Sequence, residues 1–224
     1  MNLAREPTKD ATGSCMLTLL SSTRKYDALS RLHGNMGFDF TEFAESYAAS
    51  LAETLANLPF SSMEKLWEIV EDAREQKSTV HFIGNGGSAG TPSHSAGDWS
   101  KELSLRTISH VDNSPALTAW ANDTDFENVF VGQLSTFVSP GDVVIGFSGS
   151  GNSDNVINGI RYSKDNGCKT VAITGNYRGM GGGKLAEIAD LTLLIQSESM
   201  ERIEDVQLVI NHVIKEAVKS NNGL

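Results

Sequence analysis

Apolar residues recur at helical spacing over residues 38–58, where Phe40, Phe43, Ala44, Tyr47, Leu51, Leu55 and Leu58 fall on one stripe. Pro59 ends that stripe, because proline cannot continue a helix. A second stripe follows, with Met63, Leu66, Ile69, Val70 and Ala73 on its buried side and Ser61 or Ser62 placed to cap it. From residue 79 the period changes. Residues 79–83, 107–111, 143–147, 170–174 and 191–195 are short apolar or β-branched runs, the pattern of buried strands. Helical patterns alternate with them over 89–103, 116–121, 126–137, 154–165 and 184–188, and a longer one over 200–219 closes the chain. Pro140-Gly141-Asp142 and Asn166-Gly167 mark turns between them. Five such strands separated by helices predict an α/β fold: a three-layer sandwich around a five-stranded parallel sheet, preceded by two N-terminal helices.

Residues 1–37 break this pattern. They carry Arg5, Lys9, Arg24, Lys25 and Arg31 against Glu6, Asp10 and Asp27, with little periodicity. They read as a partly ordered N-terminal extension, and 38–224 as one domain. The formal charge of −10 argues against a nucleic-acid partner, and an anionic ligand would have to be held by local donors. No apolar run is long enough to span a membrane. Cys15 and Cys168 are distant in sequence and suit free thiols in a reducing compartment, so the expected location is the cytoplasm.

In an open parallel sheet, ligands sit beyond the carboxyl ends of strands at the switch in strand order. Two turns qualify. The first, Gly84-Asn85-Gly86-Gly87-Ser88, joins a strand to a helix, with Ser88 at the expected cap position. Unpaired N–H groups at such a helix start favour an anion. His94 and Asp98 stand four apart on the helix that follows and so share a face. The second turn, Ser148-Gly149-Ser150-Gly151-Asn152-Ser153, offers hydroxyls and backbone N–H groups to a small polyanion such as phosphate. It lacks the Gly-Lys-Ser/Thr of a nucleotide P-loop, and the first turn lacks the glycine spacing of a dinucleotide site. Trp67, Trp99 and Trp120 read as packing residues, and His81 and His110 as core or edge histidines. Glu201, Asp205 and Lys215 read as a solvated face.

The segments 84–88, Ala-Asn-Asp at 121–123, 148–153, Thr-Gly at 174–175, Gly-Gly-Lys-Leu-Ala at 182–186 and Glu-Arg-Ile-Glu-Asp at 201–205 occur in that order. Together they resemble the sugar isomerase (SIS) domain family, in its phosphoheptose isomerase branch. The resemblance implies the SIS fold and conversion of sedoheptulose 7-phosphate to D-glycero-D-manno-heptose 7-phosphate through an enediol. It implies substrate contacts from Asn85, Gly86, Gly87, Ser88, Asn122, Asp123 and Glu204, and a phosphate site at Ser148, Gly149, Ser150 and Ser153. It also implies a zinc ion held by His94, Asp98, Glu204 and His212, with Asp98 as base and His212 as its acid–base partner. A homotetramer with sites between subunits is expected. Three positions depart from the family pattern: Asp98 stands for Glu, Glu204 for Gln and Gly149 for Thr. Glu204 and His212 are eight apart, about 80° from alignment on a helix, and so share a broad face. The alternatives are an isomerase of another phosphosugar, or a non-catalytic phosphosugar-binding or scaffold protein of the same fold.

Overall fold

The structure, a computed structural model, describes residues 37–224. The extension expected over 1–37 thus lies almost wholly outside the described residues. Two compact units divide at Tyr47 and Ala48. In the first unit the described residues, 37–47, contain the start of helix α1 (Phe40–Ala56), where the Asp39 carboxylate accepts the Glu42 N–H and the Phe38 and Phe43 rings meet at 5.7 Å.

The second unit holds the sheet. Helix α2 (Phe60–Gln76) begins directly after Pro59, one residue before the expected serine caps, with no side-chain cap bond. Strand β1 (Thr79–Gly84) leads into α3 (Gly87–Leu103), β2 (Arg106–Ser109) and α4 (Ser114–Asp123). A short 3-10 turn (Phe126–Asn128) runs into α5 (Val129–Phe137), then β3 (Val143–Ser148) and α6 (Asp154–Asp165). Strand β4 (Lys169–Gly175), α7 (Gly183–Ile188), β5 (Leu191–Ile195) and α8 (Met200–Asn222) complete the chain. All five strands are parallel, in the order β2-β1-β3-β4-β5.

Strand side chains alternate between two cores, as the two-residue period requires. On one face Phe82, Val143, Ile145, Phe147, Val171 and Ile173 pack with the apolar sides of α2, α3 and α8. On the other, Ile83, Val144 and Ala172 pack with α5, α6 and α7. The chain runs outward from β1 to β2, then crosses to the far side of β1 for β3. The switch point therefore lies between β1 and β3, where Gly84 pairs with Phe147, and both candidate turns open beside it. Among the described residues no helix is long and apolar enough to cross a membrane.

Candidate functional site

The first turn closes more tightly than its sequence suggests. Gly86 takes φ +59° and ψ −129°, a conformation that favours glycine, and α3 starts at the next residue. Ser88 therefore lies inside the first helical turn, buried, and is not the cap expected of it. Its backbone N–H donates to the carboxylate of Glu204, which reaches over from α8. That carboxylate lies so close on Gly87 that a Cβ there would overlap it. Burial raises the Glu204 pKa from its ordinary value, the Ser88 N–H opposes this, and the neighbouring Glu201 and Asp205 add to the rise. Asn85 is tied to the facing turn: its side-chain amide and that of Asn155 exchange two hydrogen bonds, at 2.8 and 2.9 Å. Asn155, buried at the start of α6, escaped the sequence reading. Its only signal was its place just after the serine turn.

The serine turn is ordered from within. Ser148 Oγ accepts the Gly151 N–H at 3.1 Å and lies 3.2 Å from Ser153 Oγ. Ser150 Oγ accepts the Asn152 N–H. Ser153 precedes α6 with extended backbone but makes no side-chain cap bond. Gly149 has Met200 against it: a Cβ at that position would overlap the Met200 sulfur. A side chain at that position, such as the Thr the resemblance leads us to expect, would meet this thioether from α8. Asn122 and Asp123, at the end of α4, are exposed and hydrogen-bond to each other at 2.9 Å.

Helices α3 and α8 bring three of the expected side chains together. His94 Nε2 stands 3.0 Å from His212 Nε2 and 3.1 Å from Asp98 Oδ2, and His212 Nε2 stands 3.9 Å from the same oxygen. The side chains are 47%, 44% and 23% exposed for His94, His212 and Asp98, so the cluster faces out. Three donors bound about 2.0–2.2 Å from one tetrahedral ion stand about 3.3–3.6 Å apart. The observed separations bracket that range, and two imidazoles with a carboxylate suit a divalent metal, so the donor set fits zinc. Glu204 is not among these three donors. On the inner side of Asp98, Lys215 donates to Asp98 Oδ2 at 3.4 Å and to Glu102 Oε1 at 3.3 Å. It is buried, contrary to the solvated face expected for it. Burial works against its charge, and the Glu102 and Asp98 carboxylates more than compensate, raising its pKa.

His81 and His110 form a separate pair in the core. His81 Nδ1 meets His110 Nε2 at 3.0 Å, and His81 Nε2 meets Asp142 Oδ2 at 3.4 Å. Trp99 is buried, as expected of a packing residue. Trp120 is half-exposed, with its ring lying against Gly132 of α5.

Residues 42–175 match the SIS domain family. The phosphoheptose isomerase of Aquifex aeolicus is 38% identical over 156 residues, covering 67% of this chain and 80% of its own length. That of Aliarcobacter butzleri is 34% identical over 157 residues, covering 68% and 81%. The solved phosphoheptose isomerase of Neisseria gonorrhoeae superposes with a TM-score of 0.77 at 25% identity, over 81% of this chain and 100% of that one. With the parallel sheet and both turns in place, the chain belongs to the SIS domain family, in its phosphoheptose isomerase branch.

Proposed function

We propose that this phosphosugar isomerase converts sedoheptulose 7-phosphate to D-glycero-D-manno-heptose 7-phosphate. The observation that carries the reading is the meeting of His94, Asp98 and His212 between α8 and α3, the helix that leaves the first switch-point turn, in a chain whose relatives at 34–38% identity are named phosphoheptose isomerases. A ketose becomes an aldose when a proton leaves C1 to give an enediol and another is added at C2. The reaction needs a base at carbon, an acid at oxygen and stabilisation of the oxyanion.

Asp98 takes the base role, with Glu204 as its substitute. His212 moves the second proton, as an imidazole can near neutral pH. The raised pKa of Glu204 also suits a group that must both accept and give a proton. Ser148, Ser150, Ser153 and the N–H groups around Gly149 hold the phosphate. This remote grip supplies binding energy that orients the reacting end. Asn85, Gly86, Gly87, Ser88, Asn122 and Asp123 contact the sugar. His94, Asp98 and His212 would hold a zinc ion, which would polarise the carbonyl. Glu204 joins the site from the first turn and not as a fourth ligand, since its carboxylate is taken up at Ser88 and Gly87. In this reading the domain starts near residue 38, and the enzyme is a cytoplasmic homotetramer with sites completed between subunits. The free thiol of Cys168 is in keeping with a reducing compartment.

The test is solvent exchange. Zinc-supplied enzyme incubated in D₂O with sedoheptulose 7-phosphate should place deuterium at C2 of the aldose product. Turnover of a different phosphoketose would keep the chemistry and change the substrate. Phosphosugar binding without deuterium entering any sugar would make the chain a binding protein.

A further inference from the structure

Lys215 stands at a junction the proposed reaction does not use. Its side chain is only 11% exposed, and its ammonium lies among three carboxylates: Asp98 at 3.4 Å, Glu102 at 3.3 Å and Glu216 at 3.4 Å. The Asp98 atom it approaches is Oδ2, the same oxygen faced by His94 and His212. Lys219 takes the other oxygen of Glu102 at 2.8 Å, and no contact joins it to Asp98. A line of alternating charge thus runs along the seam of α3 and α8 and ends on the donor set.

We propose that Lys215 is a positioning residue and the built-in counter-charge of Asp98. It acts through that carboxylate, whose charge it offsets, and so sets how tightly the three donors take a divalent metal ion. The inference rests on reading His94, Asp98 and His212 as a metal site. Imidazoles that ligate a metal are neutral, so a set of two with one carboxylate supplies a single negative charge, and the ammonium in contact with that carboxylate offsets it. A divalent cation at Asp98 Oδ2 must share that oxygen with a positive charge already in contact with it. Coulomb repulsion falls with distance, so Lys215 opposes the ion far more than Lys219 does. The result is a site that holds its metal less tightly than its ligands alone would allow.

Equilibrium dialysis of metal-free protein against Zn²⁺ alone tests this. Lys215→Met keeps the apolar stem and removes the charge, and should bind zinc about tenfold more tightly. Lys215→Arg should restore wild-type affinity, and Lys219→Met should change it by less than about threefold. A lysine that merely supports the fold would loosen the site when removed, so unchanged or weaker binding by Lys215→Met overturns the proposal. An equal gain in Lys219→Met also overturns it, because the effect would then be a general field. Glu102→Gln, at the rim, covers the case of a misfolded Lys215→Met. With Glu102 neutral, the ammonium is shared by Asp98 and Glu216 alone and zinc binding should weaken severalfold; unchanged or tighter binding counts against the idea. If wild type binds zinc and Lys215→Met binds it equally, only the lysine proposal fails. If neither protein binds zinc, the metal reading and the lysine proposal fail together.

Discussion

His81, His110 and Asp142 form one set of two imidazoles and a carboxylate, and His94, His212 and Asp98 form another. The first set is sealed: His81 and His110 are 0% and 1% exposed, and Asp142 is buried at the entry to β3. Asp142 accepts the Thr79 N–H at 2.7 Å, the Ser139 N–H at 2.8 Å and the His81 ring at 3.4 Å. His81 passes its other nitrogen to His110, whose carbonyl accepts the Gln133 amide. Every polar group in that chain is answered inside the protein. In the second set the His94 and His212 Nε2 atoms face each other and one aspartate oxygen, at the surface. The same residue types therefore serve a structural role where burial and partners use up their donors and acceptors. In the role proposed for the second set they serve chemistry, because its nitrogen and oxygen atoms converge on a point open to a ligand.

The comparison predicts opposite mutational phenotypes. The largest effect belongs to the exposed set. His212→Ala should cut turnover about 10²- to 10⁴-fold in an isomerase assay, with little change in melting temperature. Next comes the buried set. Asp142→Ala leaves the Thr79 and Ser139 N–H groups and the His81 ring without their acceptor, and should destabilise by about 3 kcal/mol in urea unfolding. Turnover per folded molecule should stay within about twofold of wild type, since no step uses Asp142. Reversed outcomes, stability lost in His212→Ala and activity lost in Asp142→Ala, would exchange the roles assigned to the two sets.

The smallest effect is in pH. Burial lowers the His110 pKa from 6.5 to about 3, and the nearby His81 adds to the shift. Burial likewise lowers the pKa of His81, with Asp142 pulling the other way. Below about pH 6.5 the unfolded chain takes up protons that the folded core refuses, so stability is full above that value and declines toward about pH 3. His110 alone should withdraw about 2 kcal/mol between pH 7 and pH 5. Thermal melts across that window measure it, and His110→Gln should flatten the slope. An equally steep slope in the variant would remove His110 as its cause.

Much of this was legible in the chain. Strands β3 and β5 and helix α6 lie within a residue of where periodicity puts them, and β3 and α6 are also bounded by strong punctuation at Pro140-Gly141-Asp142 and Asn166-Gly167. The shared face of His94 and Asp98 follows from four-residue spacing, and the structure puts them 3.1 Å apart. The misses have a common origin. Ser88 looks like a cap because serine often is one, yet the positive φ of Gly86 starts the helix earlier, and Ser88 gives its N–H to Glu204 of a distant helix. Lys215 looks solvated because lysine usually is, yet the carboxylates Asp98 and Glu102 on α3 provide a buried place for its ammonium. Asn85 and Asn155 look like separate turn residues until the sheet sets β1 beside β3 and their amides pair.

The sequence by itself determined the order of the elements, the two glycine- and serine-lined turns and the face of α3 that carries His94 and Asp98. These depend on hydrophobic period and turn chemistry, which act over a few residues. The resemblance named His212 as a partner of that face, but only the tertiary structure decided that Lys215 joins it beside Asp98 and that Glu204 sits at Gly87 instead. The physical reason is that the seating of α8 on α3 follows from burying Ile203, Val206, Ile210, Ile214 and Val218 in one core with Trp99 and Leu103. That fit between whole surfaces has no local signature in the chain.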